Sequence, residues 1–296
     1  MEKKSENMIH KVKKRIDDII KELPSHREVL EFIKDVLIEQ YKIKPKIKIT
    51  PVDIDKVNLK GKNQEGFPLV EKRELQLDNA SASRLFKRLC KVLNHNKKAV
   101  RDVKQISQAL RSKHINLTEL FKHAVAEDVE YIIALSKNLK IKEDILSFLI
   151  INSIKPIFEA YANELKCYVD QEKWWKGYCP ICGSEPFIGE SREEGERFLV
   201  CSSCSYAWRF MRQKCPFCEN ENHKELRHFY TEKKGNAYRV DVCEKCKRYV
   251  KTVDTHEMGE EVMPIVEDMG TLYLDVLAQK EGYSREKTVS GISINA

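Results

Sequence analysis

Eight of the ten cysteines in this 296-residue chain form four Cys-x-x-Cys pairs: Cys179/Cys182, Cys201/Cys204, Cys215/Cys218 and Cys243/Cys246. A tetrahedral metal site takes four thiolates, and one Cys-x-x-Cys turn presents two of them. Two pairs close one site, so four pairs make two sites. Eighteen residues lie between Cys182 and Cys201, and 24 lie between Cys218 and Cys243. The first spacing falls within the usual range of a four-cysteine ribbon and the second slightly exceeds it. The chemistry on offer is tetrathiolate ligation of two Zn or Fe ions, one per site. Zinc held this way is structural, because a closed site leaves no position for water. Iron in the same cage permits one-electron transfer.

The residues around the pairs repeat. Cys179-Pro-Ile-Cys-Gly183 and Cys215-Pro-Phe-Cys218 read as two copies of one knuckle. Proline fixes φ in the turn, and Gly183 allows the left-handed backbone that curls round a metal. The second copy lacks that glycine, and Asn220 is the expected substitute. Each knuckle is followed by a strand, a turn and a second strand. These are Phe187–Ile188 and Phe198–Val200 in the first copy, with the turn at Ser191–Gly195. In the second they are Leu226–Tyr230 and Tyr238–Val242, with the turn at Lys233–Gly235. Third strands follow at Tyr206–Met211 and Tyr249–Val253. An internal repeat of this kind favours sequential pairing, each ribbon using its own four cysteines, over an interleaved one.

Other catalytic patterns are missing. No phosphate-binding Gly-x-x-x-x-Gly-Lys-[Ser/Thr] loop and no Gly-x-Gly-x-x-Gly is present. His256-Glu257-x-x-Glu260 lacks the second histidine of a zinc protease. His223 and His228 lie between ligand pairs, but eight thiolates leave them no vacancy. Cys90 and Cys167 stand apart and read as ordinary packing residues.

The elements that must carry these ribbons are mostly helical. Apolar residues recur at helical spacing through residues 5–42, with a break at Pro24 and a capping box expected at Ser25–Glu28. Residues 43–77 show no period and contain three prolines and two glycines, which predicts a long irregular crossing. Helices are expected at Ala80–Leu93, Val100–Leu110, Leu117–Leu135 and Glu143–Leu165. The last is apolar on most sides, hence central, with a kink at Pro156. A final helix is expected over Pro264–Tyr283, followed by a frayed end. The predicted fold is α+β. It comprises an N-terminal all-helical domain (1–172), two tandem rubredoxin-like or zinc-ribbon modules (173–214 and 215–256), and a C-terminal helix with its tail (257–296).

Composition bounds the function. The formal net charge is +7, but the surplus sits before residue 178; the cysteine-rich part is near neutral and the tail is acidic. Two loaded tetrathiolate sites would make the ribbons more negative still. Nucleic-acid binding, the alternative use of such ribbons, wants a basic footprint on the recognition module and is disfavoured here. Met1 to Asp18 is charged throughout with no apolar signal core, and no run reaches the ~20 apolar residues of a membrane span. A cytoplasmic location follows, where thiols stay reduced and cysteine clusters read as metal sites rather than disulfides. A thiol–disulfide enzyme using one pair is a further rival.

The region 173–285 resembles the formate dehydrogenase accessory protein family, FdhE. The likeness runs through Trp174-Trp175-Lys176-Gly177-Tyr178, Cys179-Pro-Ile-Cys-Gly-Ser-Glu-Pro186, Cys201 and Cys204. It continues through Trp208 and Arg212, then Cys215, Cys218, Cys243 and Cys246, and Tyr249-Val250-Lys251. In the tail it includes Pro264, Asp268, Leu272, Leu274-Asp275, Ala278 and Gly282-Tyr283. The resemblance implies a cytoplasmic maturation factor, not an enzyme. Its partner would be the catalytic subunit of a formate dehydrogenase, and its paired sites would hold iron or zinc. All eight ligand positions are present. Trp174, Trp175, Trp208 and Arg212 are the candidate partner-binding residues. Packing of the ribbons against the helical domain is the favoured other reading of Trp174 and Trp175, and a hydrogen bond to the second ribbon is the equal alternative for Arg212. Self-association as a homodimer is compatible with the pattern. Trp208 and Arg212 are expected on one face of a single strand.

Overall fold

A computed structural model describes residues 2–52, 59–230, 237–258 and 262–285. The helical part contains α1 (Glu2–Glu22), α2 (Arg27–Ile43), α3 (Leu59–Gln64), α4 (Asn79–Leu93), α5 (Val100–Arg111), α6 (Leu117–Val125), α7 (Val129–Leu139) and α8 (Glu143–Leu165). Strands follow: β1 (Pro186–Ser191), β2 (Arg197–Cys201), β3 (Ala207–Phe210), β4 (Leu226–Phe229), β5 (Tyr238–Cys243) and β6 (Tyr249–Asp254). The chain closes with α9 (Thr255–Met258), α10 (Pro264–Gly270) and α11 (Leu272–Lys280). The result is an α+β fold bearing two zinc-ribbon-like modules.

The helices form where the apolar period demands them. Helix α1 buries Val12, Ile16, Ile19 and Ile20 against Leu30, Ile33 and Leu37 of α2. The capping box expected at Ser25 does not form. Pro24 starts a short 3-10 turn, α2 begins only at Arg27, and Ser25 Oγ lies beside His26 Nδ1 at 3.1 Å instead. The helix expected over Leu117–Leu135 is two helices. Glu127 adopts φ 58°, and the Asp128 carboxylate accepts from the Tyr131 N–H at 3.0 Å to cap α7.

Helix α8 is the centre of the core. Leu146, Leu149, Ile157, Tyr161 and Leu165 are each at most 1 % exposed. Proline at 156 has no N–H, which frees the carbonyl of Asn152, four residues earlier. Gln40 of α2 supplies the missing donor: its Nε2 donates to Asn152 O at 2.9 Å. The helix therefore runs unbroken through Pro156. Extended to Tyr168, it is long and apolar enough by composition to cross a membrane, with mean hydropathy 1.3. Polar residues such as Ser147 interrupt it, so the sequence shows no unbroken apolar run of that length. Most of that stretch, 61 %, is covered by the rest of the chain, as befits a core helix.

The two ribbons are not separate beads. Their strands make one six-stranded sheet in the order β3-β2-β1-β6-β5-β4. Each ribbon is an antiparallel meander, and the two are joined where β1 runs parallel to β6, Ile188 opposite Lys251 through Ser191 opposite Asp254. Gly189 makes this seam possible: a Cβ there would come 2.7 Å from Thr252 Oγ1. The sheet hairpin at Lys233–Gly235 lies outside the described residues.

Part of the predicted irregular crossing is ordered against the first ribbon. Besides α3, the strap Leu69–Val70 hydrogen-bonds to the knuckle backbone, Leu69 N–H to Pro180 O at 2.8 Å and Val70 N–H to Ile181 O at 3.0 Å. Both side chains are buried.

The C-terminal helix is divided at Thr271 into α10 and α11, which clamp the sheet to the helical domain with buried charge. Lys251, in the middle of β6 and 2 % exposed, donates to the carboxylates of Asp268 at 2.9 Å and Asp275 at 2.6 Å. Arg285 adds a second cation on Asp268 at 2.6 Å. One residue earlier, buried Glu267 takes both Arg15 Nε and Nη2 from α1 at 2.8 Å and the Tyr238 hydroxyl from β5 at 2.5 Å. Burial works against the Asp268 carboxylate, but Arg285 and Lys251 overcome it and hold its pKa at about 2 rather than 3.8. A depressed folded value stabilises the fold above pH 4, and that contribution disappears as pH falls through about 2. Asp268→Asn should cost about 3–5 kcal/mol, the usual penalty for stranding a buried partner, and should flatten the acid limb between pH 4 and 2. Denaturant unfolding across that range measures both; an unchanged midpoint would show that the clamp is not structural.

Candidate metal centres

All four Cys-x-x-Cys turns share one backbone geometry. The residue after each second cysteine is left-handed: Gly183 at φ 73°, and Ser205, Glu219 and Lys247 each at 56°. Its N–H donates back to the first cysteine's carbonyl at 2.9–3.1 Å in every copy. The first cysteine's N–H donates in turn to the carbonyl of the next residue, Ser184, Tyr206, Asn220 or Arg248, at 2.9–3.0 Å. The turn thereby points two Sγ atoms to one side. Glu219, not Asn220, takes the left-handed position in the second proline knuckle. Asn220 instead donates from Nδ2 towards Cys243 Sγ at 3.7 Å and to Glu225 at 2.9 Å.

The sulfurs gather in fours, in sequence order. Cys179, Cys182, Cys201 and Cys204 form one cluster and Cys215, Cys218, Cys243 and Cys246 the other. Cross-pair Sγ–Sγ distances are 3.5–3.7 Å in the first and 3.7 Å in the second. A disulfide needs about 2.05 Å. Tetrahedral ligation at about 2.3 Å per bond spaces sulfurs at about 3.8 Å. The donor set therefore fits a tetrahedral metal ion, and each cluster could hold one.

Electrostatics say the same. Burial drives the Cys179 and Cys204 thiols well above their ordinary value, whereas Cys182 is lowered by hydrogen bonds from Cys179, Cys201 and Cys204. Without a cation only part of the first cluster ionises, and a divalent ion removes that conflict. In the second cluster burial also raises Cys215, while hydrogen bonds from the Cys246 backbone and Asn220 outweigh burial at Cys243 and bring it down to about 7. The first cluster is wholly buried; Cys218 and Cys246 of the second are half-exposed.

The supports come from far along the chain. Trp174 Nε1 donates to Tyr178 O at 2.9 Å and Trp208 Nε1 to Lys176 O at 3.1 Å, fixing the backbone that enters the first knuckle. Both indoles are at most 1 % exposed. A side chain with no surface has none to offer a partner, so Trp174 takes the packing role that was its favoured reading, and Trp208, expected as a partner-binding residue, is scaffold as well. Trp175 is exposed, with Arg209 over its ring. Arg212 is exposed too, but strand β3 ends at Phe210, so it does not share a strand face with Trp208. Gly177, whose role the sequence did not betray, runs directly against the second knuckle: a Cβ would meet Pro216 O at 1.8 Å. From α8, Lys155 Nζ donates to Ser202 O at 2.7 Å, and Glu159 accepts from Ser205 Oγ at 2.7 Å. Among the described residues, no histidine enters either cluster. Cys90 is a core residue whose thiol burial pushes up to about 12, and Cys167 is exposed.

Family models place these features. Residues 178–212 match the FdhE central domain and residues 213–290 the FdhE C-terminal domain. The chain is 28 % identical to the protein FdhE homolog of Aquifex aeolicus, over 91 % of this chain and 90 % of that one. It is 33 % identical to the FdhE homolog of Pectobacterium atrosepticum, where the match spans 36 % of this chain and 35 % of the relative's length. The crystal structure of the FdhE protein from Pseudomonas aeruginosa superposes with a TM-score of 0.68, covering 95 % of this chain and 94 % of that one at 18 % identity. Residues 178–290 therefore carry both FdhE domains, and the chain as a whole is similar to FdhE proteins in sequence and in fold.

Proposed function

We propose that this protein is a cytoplasmic accessory factor that binds the catalytic subunit of a formate dehydrogenase and assists its assembly or activation. The observation that carries the reading is the pair of closed four-thiolate clusters in a chain similar to FdhE proteins. A metal fully enclosed by four sulfurs has no place for water or substrate, which suits a scaffold or a one-electron carrier and not a hydrolytic enzyme. Residues 1–172 serve in this reading as a helical platform, 173–214 and 215–256 as the metal ribbons, and 257–296 as the clamp between them.

The surface best suited to a client surrounds the first ribbon. Trp175, Met211 and Phe67 are exposed at 37 %, 43 % and 59 %. Gly66 lies against Lys176 and its carbonyl accepts from Tyr178 Oη at 2.7 Å, which ties the turn before Phe67 to the segment that carries Trp175. Exposed aromatic and methionine side chains on a rigid base are the usual anchors of an interface. Arg209, which lies over Trp175, supplies charge at the rim.

Protein purified without oxidation should contain one tetrahedral metal ion per cluster. Cys179→Ser with Cys182→Ser should halve that content and unfold the first ribbon, since structural metal contributes on the order of 10–16 kcal/mol in small zinc domains. Elemental analysis with circular dichroism checks this, and a folded metal-free chain would contradict it. Mixing with the purified catalytic subunit tests the client. Trp175→Ala combined with Met211→Ala should weaken the complex about thirtyfold, at roughly 1 kcal/mol per anchor, with unchanged melting. Trp174→Ala should instead lower stability by about 3–5 kcal/mol. Undiminished recovery by the surface double variant would remove this face from recognition.

A further inference from the structure

A cavity of about 550 Å³ opens between the two ribbons, with Cys215 and Cys243 of the second cluster among its walls. Its walls carry Arg197 from β2, Arg227 from β4, Arg239 from β5, Arg248 ahead of β6, and Arg212 and Lys214 from the link between ribbons. The acidic residue among its walls is Asp241. Even set against the two negative charges of a loaded tetrathiolate site, the lining stays positive.

Several of these cations already have structural work. Arg248 pairs with Glu185 at 2.7 Å and lies 3.6 Å over the Phe217 ring. Arg239 pairs with Asp241 at 2.8 Å. Arg197 donates from Nη1 to Lys214 O at 2.9 Å, which ties the link down, and its Nη2 lies 3.5 Å from the Asp241 carboxylate. Two groups are left over. Arg197 is 5 % exposed, yet its Nε has no hydrogen-bond partner. The Arg212 guanidinium has neither an ion pair nor a hydrogen bond among the described residues; it rests against Gly195, where a Cβ would come 2.8 Å from Nη1. A buried guanidinium N–H left without an acceptor is costly, and native structures resolve such cases with water or an ion.

We propose that this cavity binds a small diphosphate-bearing anion. Arginine forks match phosphate oxygens, and several of them around one space favour a ligand with more than one phosphoryl group. The volume exceeds what a single phosphate fills and falls in the range of organic-ligand pockets. The Arg197 Nε–H and the Arg212 fork donate to the phosphoryl oxygens, and Lys214 adds a point charge. Lys214 is otherwise shared between the exposed carboxylates of Glu219 and Glu221 at 3.6 and 3.1 Å. The site stands independently of any client protein.

Calorimetric titration of the metal-loaded full chain tests it, with inorganic pyrophosphate, ADP, orthophosphate and sulfate at matched ionic strength. Pyrophosphate and ADP should bind, with orthophosphate and sulfate at least tenfold weaker. Arg212→Gln, an exposed change that leaves folding intact, should weaken pyrophosphate at least tenfold. Arg73→Gln, on the helical domain, should not. Preference for ADP over pyrophosphate would place a nucleoside in the remaining volume; equal affinity would confine recognition to the diphosphate, and either supports the site. Absence of binding, equal binding of sulfate, or an unaffected Arg212→Gln variant would mean that these cations only balance thiolate charge, and would overturn the proposal.

Discussion

Four sulfur atoms within van der Waals reach of one another, out of water, cannot all be thiolates unless a cation lies among them. That constraint governs the C-terminal half of this protein. The knuckle backbone sets the sulfurs at 3.5–3.7 Å, too far for disulfides and close to what a tetrahedral ion requires. Each knuckle uses the same two backbone hydrogen bonds and the same left-handed residue, so the four turns are one device repeated. Only one of the four left-handed positions is glycine; the others tolerate the strain because both neighbouring peptide groups are tied down.

The seam between β1 and β6 turns two ribbons into one object. A small ribbon on its own has little core and relies on its metal. Here the parallel pairing gives both ribbons a shared buried face, with Ile188, Val200, Val240, Tyr249 and Val253 against Leu274 and Ala278. The first cluster is then enclosed from the other side by the Leu69–Val70 strap and the indoles of Trp174 and Trp208. The second is less covered, and its Cys218 and Cys246 are half-exposed.

What could be seen in the sequence was local. Cysteine spacing within each ribbon predicted the clusters and their sequential grouping, because a meander brings its own ends together. Apolar period located the long helices. What could not be seen depends on residues distant in the chain. Gln40 compensates for Pro156, and nothing near Pro156 announces it. The pairing of Ile188 with Lys251 leaves no turn signal, since parallel strands need no hairpin. Trp208 looked like a surface anchor because a tryptophan near a ribbon can be either; only its contact with Lys176 O shows the side it faces. The break before α7 was legible after the fact, in Asp128 as a cap, but a continuous apolar period outweighed one acidic residue.

The tail motif that carried much of the family resemblance has a physical basis independent of any client. Asp268 and Asp275 neutralise Lys251, a cation that would otherwise be stranded inside the sheet, and Glu267 reaches the other way to Arg15 of the first helix. Adjacent carboxylates on one short helix thus face two different bodies, the metal-bearing sheet and the helical domain. Replacing either by an apolar residue would leave a buried cation on one side only, so neither can drift without a compensating change far away in sequence. A charge pair of this kind adds little to stability compared with an apolar contact of the same size, but it rejects every alternative seating of the helix. Lys251 of β6 thus fixes the placement of α10 and α11 between the sheet and the helical domain.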